Sequence, residues 1–143
     1  MKVPDSVQAL LPRLLETQKY AVLASDNHGQ PYTSLMAFSV TEDLQSFILM
    51  TERGRLKYEN LMANPRVAIM IDNRENLGSD LEETVAEEIA GDASDEWRAL
   101  CLARHPALQA FANSPGCALI RIKITSYVIV RCFQEVIEWR ITT

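Results

Sequence analysis

Residues 20–40, YAVLASDNHGQPYTSLMAFSV, contain two runs of strand-forming residues that a short polar segment separates. The runs are Tyr20 to Ser25 and Tyr32 to Val40, and Gly29 and Pro31 lie between them. Glycine and proline mark turns because their backbone preferences interrupt regular pairing. The stretch therefore predicts an antiparallel β-hairpin and indicates a protein built on a sheet.

Three helices are predicted around this hairpin. Residues 7–15 place apolar side chains at helical spacing after a capping Asp5 or Ser6, and Pro12 is expected to kink or restart that helix. A short helix follows residue 55 and ends before Pro65, which blocks its continuation. A later helix, capped by Asp95, carries Trp97, Leu100, Cys101 and Leu108 inward.

The remaining strand candidates are short runs of apolar or β-branched residues: 46–51, 66–72, 84–90, 117–123, 126–133 and 135–141. Residues 73–83 are polar and are expected to be irregular, and 117–133 forms either one long strand or two short ones. About six strands joined mainly by tight turns relieve their exposed edges best by closing into a barrel. The predicted fold is α+β, mainly β, a six-stranded antiparallel barrel formed by one domain over residues 1–143.

Composition excludes several kinds of partner. The net charge is −5 and the Lys and Arg residues are scattered, so neither nucleic acid nor an anionic membrane surface is expected as a partner. Three widely spaced cysteines fit neither a disulfide framework nor a metal site, and no metal is expected. No apolar run approaches the roughly 20 residues that span a bilayer, and the N-terminus has no secretory apolar region. We therefore expect a cytoplasmic protein.

Familiar catalytic motifs are missing, among them GxGxxG, GxxxxGK[ST], GxSxG and HExxH. The sequence has two histidines. His28 precedes Gly29 and is interpreted as a turn residue rather than a ligand. His105 precedes Pro106 at a predicted helix end, where an imidazolium can interact with the helix dipole, and its alternative role is that of a ligand. No catalytic residue is assigned.

Residues 51–58, TERGRLKY, place basic side chains where a strand leads into a helix. A helix start has free backbone N–H groups and a positive dipole end, which attract phosphate. Gly54 permits close approach of the backbone, Arg55 offers a forked donor and Lys57 a point charge. The alternative is that Arg53, Arg55 and Lys57 are ordinary solvent-facing residues, although cations oppose the dipole at that helix end.

Seven features in order resemble the pyridoxamine 5'-phosphate oxidase-like split-barrel family: KYAVLA at 19–24, GQP at 29–31, the strand 32–38, Thr51, RLK at 55–57, NL at 60–61 and NPRVA at 64–68. The resemblance is continuous from about Tyr20 to Asp72. It implies a split barrel that holds FMN at the interface of a homodimer, with the phosphate at the helix after the third strand.

The resemblance also implies which residues contact the flavin. Thr33, Ser34, Leu35 and Met36 are expected to face the isoalloxazine and ribityl chain. Met50 and Thr51 contribute from the end of the third strand, and Arg55 and Lys57 bind the phosphate. Two further candidates each have a structural alternative: Arg74 meets an anion or forms a surface ion pair, and Trp139 covers the flavin or packs in the core or at an interface.

Three functional hypotheses follow. The first is an FMN-dependent oxidoreductase that acts on a small-molecule substrate, since bound FMN itself performs hydride and electron transfer. The second is a flavin carrier or store without turnover. The third is a heme-handling protein, as some members of this family are, with His105 as the ligand. Oxidation of vitamin B6 is not expected, because nothing in residues 139–143 resembles the family's Arg-x-His substrate motif.

Overall fold

The computed structural model describes residues 5–73, 77–89, 93–131 and 135–141 of the chain. Within these ranges there are nine strands: β1 (Tyr20–Asn27), β2 (Gln30–Ala37), β3 (Ser39–Val40), β4 (Ser46–Glu52), β5 (Arg66–Asp72), β6 (Leu77–Ile89), β7 (Cys117–Lys123), β8 (Ser126–Arg131) and β9 (Glu135–Arg140). The helices are α1 (Asp5–Thr17), α2 (Leu56–Ala63), α3 (Ala93–Arg104) and α4 (Gln109–Ala112), and a 3-10 turn, Pro106–Leu108, precedes α4. The fold is α+β and mainly β, as predicted.

The strands form one antiparallel sheet that branches at β6. Its main row has the order β2-β1-β5-β6-β7-β4-β3, while β8 pairs with β6 and with β9. Strand β6 has 13 residues and pairs with β5 along one edge. Its other edge is divided, because residues 77–80 pair with β8 and residues 85–89 pair with β7. The length of β6 therefore lets one strand belong to both branches.

The predicted six-stranded split barrel is not confirmed, because the described residues form nine strands and their sheet does not close. The row ends at β2 on one side and at β3 on the other, and no backbone pairing joins β2 to β3 or β4 within the described ranges. The predicted strand 32–40 is interrupted at Phe38, where the chain leaves β1 and begins to pair with β4. Phe38 is fully buried and stacks on Phe47 with ring centroids 4.9 Å apart. This aromatic contact anchors the point at which the chain changes partner.

Other differences from the predictions are local. Residues 77–83 are part of β6 rather than irregular, because residues 78–80 pair with β5 on one edge and with β8 on the other despite their polar composition. Residues 117–131 form two strands, and α1 runs through Pro12 without a restart. The later helix begins at Ala93 and stops at Arg104, so Leu108 lies in the 3-10 turn and not on the helix. Residues 90–92 and 132–134, which include the expected strand end at Gly91 and the end of the predicted 126–133 strand, lie outside the described residues.

The main core lies between α1 and the inner face of the sheet. Leu11, Leu14 and Leu15 of α1 are buried there with strand residues such as Leu23 and Ile120. A second, smaller cluster lies beneath α3: Ile48, Cys101 and Leu119, against which Trp97, Leu100 and Met50 pack. Among the described segments no helix combines the length and apolar character that crossing a bilayer requires.

Candidate functional site

A pocket of about 590 Å³ lies between β2 and the end of β4, at the place where the sheet does not close. Its walls come from four segments that are distant in sequence: β2, β4, the start of α2 and the stretch after α3. The lining residues are Tyr32, Leu35, Met36, Ala37, Met50, Thr51, Glu52, Arg55, Leu56, Lys57, Leu108 and Phe111. The open edge of the sheet therefore creates a cavity with both apolar and cationic walls.

The structure brings together six of the ten predicted site residues: Leu35, Met36, Met50, Thr51, Arg55 and Lys57. Thr33 and Ser34 lie beside them on β2 but do not line the pocket. The Ser34 hydroxyl is buried and has no hydrogen-bond partner in the described structure. Ser34 shares a face of β2 with Met36, because side chains two residues apart along a strand point the same way.

Trp139 and Arg74 are not brought to this pocket. Trp139 lies on β9, where its ring stacks on Tyr127 with centroids 5.6 Å apart, and it packs against the main core. The sequence left two roles open for Trp139, covering the flavin or packing in the core or at an interface, and the surroundings of the ring match packing in the core. Arg74 lies outside the described residues.

The turn from β4 to α2 has the form expected of a phosphate-binding segment. Gly54 has a φ of +85°, which glycine adopts readily and other residues rarely adopt. Arg55 is the N-cap residue of α2, has extended backbone and forms no side-chain capping bond. The first N–H groups of an α-helix lack intrahelical acceptors. Because Arg55, Leu56 and Lys57 all line the pocket, α2 begins at the pocket wall.

The three cations of this segment have different surroundings. Arg53 donates to Glu88 and is held away from the pocket lining. Arg55 Nε lies 2.8 Å from Glu52 Oε2, and the hydrogen bond and charge of Glu52 raise the pKa of this exposed guanidinium. Lys57 Nζ lies 3.2 Å from the Met36 thioether sulfur, and no carboxylate of the described chain pairs with it. Lys57 thus provides a positive charge in the pocket that no carboxylate among the described residues pairs with.

Sequence reasoning missed the other six lining residues: Tyr32, Ala37, Glu52, Leu56, Leu108 and Phe111. Tyr32 lies in the predicted hairpin, and its phenol is the one aromatic hydroxyl among the lining residues. Leu108 and Phe111 enter from the 3-10 turn and α4, more than 40 residues after α2. Their spacing of three residues is typical of a helix. The sequence does not show that α3 ends at Arg104, so that the following turn and α4 form a separate segment at the pocket.

The contacts of His105 are those of a residue that supports the fold. It is buried, its Nε2 lies 2.7 Å from the Phe38 carbonyl oxygen, and its backbone N–H donates to Cys101 at the end of α3. The predicted helix-end position is therefore confirmed. His28 is exposed in the turn between β1 and β2, as the sequence indicates.

A family model described as "Pyridoxamine 5'-phosphate oxidase" matches residues 7–130. A pyridoxamine 5'-phosphate oxidase homolog of Schizosaccharomyces pombe is 35% identical over 69 residues. That alignment covers 43% of this chain and only 36% of the yeast protein's length.

Several solved structures share the fold at low sequence identity. A protein related to general stress protein 26, of the pyridoxinephosphate oxidase family, from Clostridium acetobutylicum superposes with a TM-score of 0.76 at 19% identity, covering 97% of both chains. A heme binding protein from Mycobacterium smegmatis gives 0.80 at 16%, covering 98% of this chain and 60% of the other. An FAD-binding protein from Mesorhizobium loti gives 0.70 at 19%, covering 85% and 89%.

Proposed function

The chain belongs to the pyridoxamine 5'-phosphate oxidase family, and on this premise we propose that its pocket binds FMN and that it is an FMN-dependent oxidoreductase acting on a small molecule. One observation carries the proposal: the pocket contains two cations, Arg55 and Lys57, at the start of α2 and has apolar walls beside them. FMN has matching parts, a dianionic phosphate and a largely apolar ring system. When bound, FMN supplies hydride and electron transfer.

Each part of the pocket has a role in this proposal. Arg55 and Lys57, together with the N–H groups that begin α2, hold the phosphate. Leu35, Met36 and Met50 pack against the ring. The hydroxyls of Thr33, Ser34 and Thr51 bond polar atoms of the flavin, and the unpartnered Ser34 hydroxyl fits that role. Trp139 is not assigned to the flavin of its own subunit, because its ring stacks on Tyr127.

We also propose that a second copy of the chain completes the site. The outer face of β2, β1 and β5 carries a row of apolar side chains, since Leu35 and Met70 both pair with Val22 across the strands. Leu35 is 68% exposed and Met70 44%, and Tyr20 beside them is 59% exposed. Exposed apolar patches of this kind mark interaction surfaces. Leu35 also lines the pocket, so a partner covering this face reaches the flavin.

We propose a cytoplasmic location on the state of two thiols. Cys101 and Cys117 are both free and buried, and burial raises the pKa of each, to about 11 for Cys101. Thiols that remain unpaired are typical of reducing compartments.

The phosphate assignment is tested with the double variant Arg55→Ala, Lys57→Ala. Loss of two charged donors is expected to weaken FMN binding by at least about tenfold, since hydrogen bonds to charged groups contribute about 1.5–3 kcal/mol each. Titration of the apo-protein, followed by quenching of flavin fluorescence, measures the affinity. Arg13→Ala with Lys123→Ala removes the same two residue types away from the pocket and is expected to bind FMN like the wild type. Equal affinities for the two double variants would remove the assigned phosphate site.

Two further measurements distinguish the alternative functions. A flavin carrier without turnover binds FMN, but reduced NAD(P)H does not bleach the bound flavin. A heme-handling protein develops a Soret band when hemin is added. The variant His105→Ala is expected to lose that band. The heme hypothesis has less support, because the His105 ring is buried and bonded to the Phe38 carbonyl.

A further inference from the structure

One carboxylate joins the two ends of the turn that begins α2. Glu88 lies on β6, and its Oε1 accepts from Arg53 Nη2 at 2.6 Å and from Arg53 Nε at 3.1 Å. Its other oxygen, Oε2, accepts from the Tyr58 hydroxyl at 2.7 Å. Arg53 precedes the turn and Tyr58 lies in the first turn of α2, so Glu88 binds on both sides of residues 54–57.

Arg53 is also bound to the chain that leads into β7. Its Nη1 donates to the carbonyl oxygens of Pro115 and Cys117, each at 3.1 Å. Its backbone N–H donates to the Gly116 carbonyl at 2.8 Å. The guanidinium is therefore held by two segments, β6 through Glu88 and the chain that leads into β7. Glu88 links it to α2 through the Tyr58 hydroxyl.

The Glu88 carboxylate is ionised at neutral pH. Its side chain is 22% exposed, and desolvation raises its pKa, but the hydrogen bonds from Tyr58 and Arg53 outweigh that effect. The resulting pKa lies below the usual value for glutamate. A charged acceptor forms stronger bonds to both donors than a neutral one does.

We propose that Glu88 is a positioning residue that pre-organises residues 54–57 for the phosphate of the bound flavin. The inference rests on the proposed function and adds to it a residue that does not line the pocket. The segment 54–57 contains a glycine and the exposed Arg55, so without Glu88 it has more conformations to lose when ligand binds. Pre-organisation increases affinity by reducing that entropic cost.

The test compares two ligands that differ only in the phosphate. Glu88→Ala is expected to weaken FMN binding about tenfold or more while riboflavin affinity changes less than about twofold, because only the phosphate uses the positioned segment. Glu88→Gln, which keeps an acceptor oxygen of similar size, is expected to recover part of the loss. Tyr58→Phe removes one hydroxyl and is expected to act in the same direction with a smaller effect.

Glu87→Ala is the matched control. Glu87 is the neighbouring carboxylate on β6 and forms an ion pair with Arg121 of β7. Like Glu88 it lies on β6 and pairs with an arginine, but it does not contact the turn that begins α2. It is expected to keep the wild-type ratio of FMN to riboflavin affinity. Far-UV circular dichroism and thermal unfolding verify that each variant is folded.

The outcomes separate this inference from the proposed function. If the wild type binds neither flavin, the proposed function fails. If the wild type prefers FMN but Glu88→Ala and Glu87→Ala show the same ratio of affinities, Glu88 does not position the phosphate segment. Equal loss of FMN and riboflavin in the Glu88 variants also overturns the inference, since it indicates damage to the whole pocket. Should Glu88→Ala not fold, Glu88→Gln and Tyr58→Phe give the same comparison.

Discussion

Gly54 follows Arg53 in the chain, and the Gly116 carbonyl accepts a hydrogen bond from the Arg53 backbone N–H. The two glycines differ in how strictly their backbone conformation requires glycine. Gly54 has a φ of +85°, whereas a Cβ on Gly116 meets only Glu52 Cγ at 3.7 Å, an ordinary contact. A Cβ on Gly54 meets no atom within 4 Å, so any cost of substitution there comes from backbone strain and not from packing.

Gly54→Ala is therefore expected to lower the free energy of unfolding by about 1 kcal/mol, the typical cost of a left-handed conformation for an L-residue. Urea unfolding followed by circular dichroism measures this change. Gly116→Ala is the control and is expected to have a smaller effect. A loss at Gly116 equal to or larger than that at Gly54 would contradict the role assigned to the positive φ.

The three basic side chains within residues 51–58 have different partners in the structure. Arg53, Arg55 and Lys57 all flank the same helix start, and the sequence analysis assigned the phosphate to Arg55 and Lys57. In the structure Glu88 binds Arg53 and Glu52 pairs with Arg55, while Lys57 meets no described carboxylate. The Glu52–Arg55 pair is local, since the two residues are three apart in the chain. The Glu88 partner of Arg53 comes from β6, and residues 51–58 by themselves do not reveal it.

Among the elements, the β1–β2 hairpin is the most locally determined. Asn27 pairs with Gln30, so His28 and Gly29 form a two-residue turn, and their φ values are 51° and 92°. Positive φ at both positions is the signature of a type I′ turn, whose twist matches that of the flanking strands. The Gly29 N–H also donates to Asp26 Oδ1 at 2.8 Å.

Asparagine is favoured over histidine at the first position of such a turn. His28→Asn is expected to raise the free energy of unfolding by about 0.5 kcal/mol, because asparagine tolerates the left-handed conformation better. Thermal or urea unfolding measures the difference. His28→Ala serves as the comparison and is expected to be less stable than His28→Asn. An asparagine variant no more stable than the alanine variant would refute the turn assignment.

At the scale of the whole molecule, the outer face of β2, β1 and β5 predicts the oligomeric state. Met70 on β5 and Met62 on α2 are exposed to almost the same extent, 44% and 43%, but only Met70 lies on the proposed dimer face. A charge placed in an apolar interface must be desolvated without a partner, which is strongly unfavourable.

Met70→Glu is accordingly expected to weaken dimerisation by about tenfold or more and to reduce FMN affinity with it. Met62→Glu introduces the same charge outside the face and is expected to leave the dimer intact. Sedimentation velocity over a range of concentrations measures the association of each variant. A wild-type monomer with tight FMN, or equal dissociation of both variants, would exclude this face as the interface.

Local features of this protein follow from the sequence alone. The hairpin at residues 20–37, the helix that ends before Pro65 and the strand 66–72 depend on backbone preferences and periodicity within each segment, and the structure contains all three. The family could also be identified from residues 20–72, because its ordered features lie close together in the chain. Six of the ten predicted site residues line the pocket, and they were named from this resemblance.

Tertiary structure alone decided how these pieces combine. The change of partner at Phe38, the branching of the sheet at β6 and the open edge between β2 and β4 result from pairing between distant segments, which no local pattern encodes. The same holds for the entry of Leu108 and Phe111 into the pocket and for the link from Glu88 to Arg53 and Tyr58. Non-local contacts depend on the free energy of the whole fold, so residues far apart in sequence became neighbours only when the sheet assembled.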